Sequence, residues 1–159
     1  MPDTTTRLAM LTVALLLASP AAQCLAQSSL PPAASAAKLH KLAIHVDEMK
    51  PETMNLALNN AQNVLDHFKA LGQPVKVEIV AYGPGLHMLR DDTSPVKSRI
   101  AAMSLAEPDL TFVACENTRT NQSKQEGKAI TLIPEAKSMP SGVVRLMELQ
   151  ADGYAYVRP

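Results

Sequence analysis

Cys115 closes the apolar run "LTFVAC", and from Glu116 to Lys128 no residue is apolar. The thiolate is the reactive form of cysteine, and a helix N-terminus or a nearby cation favours it. A helix starting after this run, capped by Asn117 or Thr118, would set the thiol at its positive end. Arg119 would add to that effect, and the carboxylate of Glu116 would oppose it. A small, buried, inert thiol is the alternative, because free cysteine is among the most buried residue types. Both readings fit the residues.

Other side chains are candidates for supporting roles. His45 lies near the end of an early strand, and His87 lies just past the glycine turn "YGPG". Either can approach Cys115, and a Cys–His pair activates a thiol; an ordinary polar or packing role suits both equally. His40 and His45 are separated by an odd number, so on one strand they face opposite sides. They cannot pair on a metal there, and no close His/Cys cluster stands elsewhere. Gly83 and Gly85 lack the third glycine of a dinucleotide fingerprint and the GK[ST] of a P-loop. They read as a tight turn at a sheet edge, and no cofactor is implied. Asn55, Asn59 and Asn63 repeat at helical spacing and stack on one face. That stripe is either a contact face for a loop, partner subunit or ligand, or a solvated surface.

The elements that hold these residues alternate. Strands are expected at Leu42–Val46, Val75–Tyr82, Leu110–Cys115, Ala129–Ile133 and Tyr154–Val157. Pro51 begins a helix whose apolar positions run Met54, Ala57, Leu58, Ala61, Val64, Leu65, Phe68. A turn of helix follows Gly83. Ser94 and Pro95 read as N-cap and first position of a helix carrying Val96, Ile100 and Met103. The polar segment after Cys115 is a surface helix or a loop, and "SGVVRLMELQADG" is a helix closed by Gly153. Strands alternating with helices imply an α/β fold, three-layer α/β/α, with a mostly parallel five-stranded sheet. In such sheets ligands lie beyond the carboxyl ends of the strands, where Asp47, Gly83–Gly85 and Cys115 fall.

Composition narrows the function classes. The chain has 159 residues, 15 basic against 15 acidic, with 47% hydrophobic and only 3% aromatic residues. Balanced charge without a basic run gives no footprint for nucleic acid. Arg7 and the apolar stretch Leu8–Ala18 read as a secretory signal, too short to span a membrane. Cleavage after Ala26 removes residues 1–26, leaving a flexible Ser/Pro/Ala leader over 27–37 and one domain over 38–159. Lipidation at Cys24 is the rival processing route. The expected location is periplasmic or secreted, with no stable membrane span in the mature form. Loss of Cys24 leaves Cys115 without a disulfide partner in an oxidising compartment.

"NLALNNAQNVL", "VEIVAYGPGL", "FVACENT" and "MPSGVVRLMELQADGYAYVRP" together resemble the DsrE/DsrF-like family, in its exported single-domain branch. The resemblance covers about Lys38 to Pro159. It implies a three-layer fold with a five-stranded parallel sheet, assembled as a trimer or hexamer. It also implies a sulfur-relay role, in which a cysteine at the end of the third strand carries persulfide sulfur. Cys115 holds that position. The expected function is therefore an exported, sulfurtransferase-like sulfur carrier whose partner is a sulfane sulfur donor or a thiol protein. Asn117, Thr118 and adjacent backbone N–H groups would stabilise the anion, with His45 or His87 handling the proton. Gly83, Gly85 and Asn59 complete the candidate site. Two other functions stay open: a non-catalytic oligomeric binding or scaffold protein, and a thiol redox sensor.

Overall fold

The structure is a computed structural model and describes residues 38–159. The segments expected to be a signal peptide and a Ser/Pro/Ala leader, with Cys24, lie outside the described residues. Five parallel strands form one sheet in the order β4-β3-β2-β1-β5: β1 His40–Val46, β2 Val75–Ala81, β3 Leu110–Cys115, β4 Ala136–Met139 and β5 Ala155–Val157. Four helices connect them: α1 Pro51–Ala70, α2 Lys97–Ala106, α3 Glu116–Glu126 and α4 Gly142–Ala151. A 3₁₀ helix, Gly83–Leu89, follows β2. The fold is the three-layer α/β/α arrangement expected of the strand–helix alternation.

Topology decides what each face carries. The first three crossovers all step the same way, from β1 through β2 and β3 to β4. The last returns across the sheet to β5, so right-handedness puts α4 on the opposite face. The larger core lies under α1 and α2. It joins Met54, Ala57, Leu58, Ala61 and Leu65 of α1 with Ile44, Ile79 and Phe112 of the sheet and Ile100 of α2. Each buried Leu, Ile or Met side chain stabilises the fold by roughly 1.5–3 kcal/mol as an upper figure. The core under α4 is small: Ala43, Val80, Val113, Leu146 and Leu149. A half-buried ion pair flanks it, with Arg145 of α4 donating to both oxygens of the buried Glu78 at 2.6 and 2.9 Å.

β1 begins at His40, β2 ends at Ala81 and β5 begins at Ala155, each within two residues of expectation, and two other expected boundaries move for an identifiable reason. The fourth strand is Ala136–Met139, not Ala129–Ile133. The apolar "AITLI" instead buries Ile130 and Ile133 while its backbone makes an antiparallel bridge, Leu132 to Arg90. Burial of an apolar run does not require a sheet neighbour, and the true β4 is an edge strand that needs few apolar residues. Helix α2 starts at Lys97 rather than Pro95. Ser94 donates its hydroxyl to the Met88 carbonyl and closes the preceding turn instead of capping the helix.

Candidate functional site

The carboxyl edge of the sheet is assembled by its register. His45 is level with Val80, and Val80 with Val113. Two residues further along each strand, on the same face, come Asp47, Tyr82 and Cys115. These three side chains therefore form a row along the edge, on the face that α4 covers.

Cys115 is 5% exposed and is itself the N-cap of α3. The helix begins directly after the strand, with no intervening loop. The cap therefore falls on the sulfur rather than on Asn117 or Thr118. Thr118 N–H donates to Sγ at 3.5 Å. The Gly142 N–H, at the N-terminus of α4, also favours the charged form of the thiol. Asn117 N–H donates to the Pro140 carbonyl at 3.2 Å and acts on the thiol in the same direction, more weakly. Burial pushes the Cys115 pKa up. The Thr118 hydroxyl and the N–H groups of Gly142, Thr118 and Asn117 outweigh it, and the thiol pKa falls below its ordinary value. The N-terminus of α3 holds the sulfur directly, and that of α4 favours the thiolate through Gly142.

The charged neighbours are engaged with each other. Arg119 donates to one oxygen of Glu116 through Nε at 3.0 Å and Nη2 at 2.5 Å. Neither charge acts on the thiol as a free ion.

Tyr82 is the residue that sequence reasoning missed. Its ring stacks on His45 with centroids 4.5 Å apart. A Cβ built on Gly142 would lie 2.8 Å from its Cδ1, so α4 can approach Cys115 only with glycine there. The available signal was parity: Tyr82 shares its sheet face with Glu78 and Val80, one register step from the end of β3.

His45 is 5% exposed, and its Nδ1 shares a hydrogen bond with the Tyr156 hydroxyl at 2.8 Å. Burial lowers its pKa, Asp47 opposes this and Arg158 adds to it, so the imidazole is neutral at pH 7. Its Nε2 has no hydrogen-bond partner among the described residues and stands 3.9 Å from Asp47.

The remaining candidates lie elsewhere. His87 pairs its Nδ1 with Thr93 Oγ1 at 3.1 Å and lines a cleft between the 3₁₀ helix and α3. Gly83 takes φ +53° and gives its N–H to Thr118 Oγ1 at 3.0 Å, fixing the residue that holds the sulfur. Gly85 packs the 3₁₀ helix onto the end of β1, where a Cβ would overlap the Val46 carbonyl. Asn59 is not brought to Cys115. It and Asn55 accept from Arg99 of α2 at 2.5 and 3.0 Å, so the asparagine stripe ties α1 to α2 on the opposite face. Among the described residues, no group of three or more His, Cys, Asp or Glu side chains could hold a metal ion. No described helix is long and apolar enough to cross a membrane.

A solved structure has the same fold. It is a protein of unknown function from Methanobacterium thermoautotrophicum, 27% identical, with a TM-score of 0.63. The match covers 76% of this chain and 99% of that one. No family model matches this chain. No curated protein matches it either.

Proposed function

We propose that this is an exported sulfur-handling protein of the DsrE/DsrF-like kind, with Cys115 as the sulfur-carrying nucleophile. The observation that carries the reading is Cys115 Sγ at the N-cap of α3, accepting from Thr118 N–H at 3.5 Å, with its pKa lowered by the Thr118, Gly142 and Asn117 groups. The resemblance of the four sequence stretches to that family supports it from a separate direction.

The chemistry is a thiol exchange. The Cys115 thiolate attacks the outer sulfur of a sulfane donor R–S–SH. A new S–S bond forms to Cys115, the donor S–S bond breaks, and R–S⁻ leaves with the electron pair. Cys115–S–SH remains, and no external oxidant is needed. The N–H groups at the two helix ends then face the persulfide anion. His45 stands two strands from Cys115 with the Tyr82 ring stacked against it, so the persulfide proton leaves to solvent or to the acceptor rather than to this imidazole.

Incubation with a polysulfide donor, followed by intact mass spectrometry, tests this. The wild type gains the mass of sulfur and Cys115→Ala does not. Equal gain by both, or none by either, overturns the proposal.

A non-catalytic, self-associating binding protein is the second reading, favoured by the near-complete burial of Cys115 and by α4. That helix leaves Val143, Val144 and Met147 exposed, with Tyr156 and Val157 exposed on neighbouring β5. Under this reading the native thiol resists a small alkylating reagent, and the chain sediments as an oligomer.

A further inference from the structure

Helix α3 breaks the usual pattern of a surface helix. Its sequence, "ENTRTNQSKQE", holds no apolar residue, and none of its residues is buried. Thr118, Asn121, Gln122 and Gln125 fall at i, i+3, i+4 and i+7, the positions that form one face. In most such helices that face is apolar and closes onto its neighbour. Here the four residues line a cleft of about 500 Å³ against Gly83, Pro84 and His87 of the 3₁₀ helix. Volumes of about 300–1,000 Å³ are usual for small-molecule sites.

The walls are braced at both ends. At one end, Gly83 N–H donates to Thr118 Oγ1, and Gln122 Nε2 donates to Gly83 O, both at 3.0 Å. At the other, the buried Arg90 guanidinium forks onto Asp92 at 2.9 and 2.8 Å and onto Glu126 at 2.5 and 2.9 Å. Lys128 joins Asp92 at 2.9 Å. The helix is therefore held at a fixed stand-off. Closing the gap would desolvate polar side chains without pairing them.

The lining specifies chemistry. Arg90 and Glu126 neutralise each other, so a phosphate or nucleotide meets no free cation in the wall. Asn121 and Gln125 make no side-chain hydrogen bond to another described residue, and Gln122 Oε1 is out of solvent without a partner. Carboxamides present an acceptor beside two donors, the complement of a peptide group. Met49 and Pro84 add apolar contact. We propose that this cleft is a binding site for a small, uncharged, amide-bearing ligand of short-peptide size. It does not depend on the sulfur-carrying role, because no residue altered below touches Cys115.

The test uses N-acetyl-alanyl-alanine amide as probe, with inorganic phosphate and a disaccharide as competitors, read by amide chemical shifts of the full chain. The peptide is expected to move the Gly83, Thr118, Asn121, Gln122 and Gln125 signals with a millimolar or tighter Kd. The Asn121→Leu/Gln125→Leu variant should bind at least about tenfold more weakly. Both positions are exposed and unpaired, so the variant keeps its fold and its wild-type melting temperature. Shifts elsewhere, no saturable shifts, equal binding by the variant, or tighter occupation by phosphate or the disaccharide would each overturn the proposal.

Discussion

Thr118→Val isolates what makes the thiol unusual. The change keeps the side-chain shape and removes one hydroxyl, which takes the Gly83 N–H and faces the Cys115 sulfur. A hydrogen bond to an ionised group contributes about 1.5–3 kcal/mol. The lower end suits a hydroxyl that shares the sulfur with three backbone donors. About 1.4 kcal/mol is a factor of ten, so at pH values below the thiol pKa the thiolate fraction falls about tenfold. The surviving thiolate becomes a better nucleophile. With a Brønsted coefficient of about 0.4–0.5, about threefold of the loss returns. The alkylation rate with iodoacetamide should therefore fall about threefold on the acid limb of the pH–rate curve and rise about threefold on the alkaline plateau. The crossing of the two pH–rate curves is the signature, since a loss of access would lower the variant's curve throughout. The orphaned Gly83 N–H also lowers stability by about 1–3 kcal/mol. Thr118→Ser should restore the wild-type curve. A Thr118→Val profile that overlays the wild type, in a protein still folded by circular dichroism, would refute this account of the site.

Two further perturbations probe the same edge. Gly142→Ala drives a methyl into Tyr82 and should cost about 1–3 kcal/mol in a denaturant melt. Adding Tyr82→Ala should recover part of that loss, and strictly additive effects would show that the two do not touch. Burial holds the His45 pKa in the folded chain below its ordinary value. The unfolded chain binds the proton more readily, so stability is full above about pH 6.5 and falls as pH drops below it. Urea midpoints measured across that range should show this loss, and His45→Gln should flatten it. The lowered pKa values of Asp47, Asp92 and Glu126 act only below about pH 4.5, so the windows stay separate.

Most of the fold is legible in the sequence because its elements obey one period at a time. The apolar spacing of α1, the short buried run of β1 and the Gly153 stop after α4 each have a local cause. Ala129–Ile133 misleads because hydrophobicity reports burial and not pairing. Ile130 and Ile133 reach the core from a connecting segment, while "AKSM", with only Ala136 and Met139 partly buried, makes the edge strand. Register decides that assignment, and register is a property of two chain segments.

The site divides in the same way. That Cys115 ends a strand and meets a helix start follows from one stretch of chain. What acts on its sulfur does not, because the donors arrive from separate places: Thr118 in α3, and Gly142 at the head of α4. The asparagine stripe shows the converse. Its regular spacing is visible at once, but Arg99, from another helix, gives Asn55 and Asn59 their structural role. Tyr82 belongs with Gly142, since the ring sets how closely α4 can bring its N–H to the thiol. A glycine that looks like a poor helix start is therefore what lets a second helix end reach the sulfur. A side chain at that position would keep the fold but move one of the donors that lower the thiol's pKa.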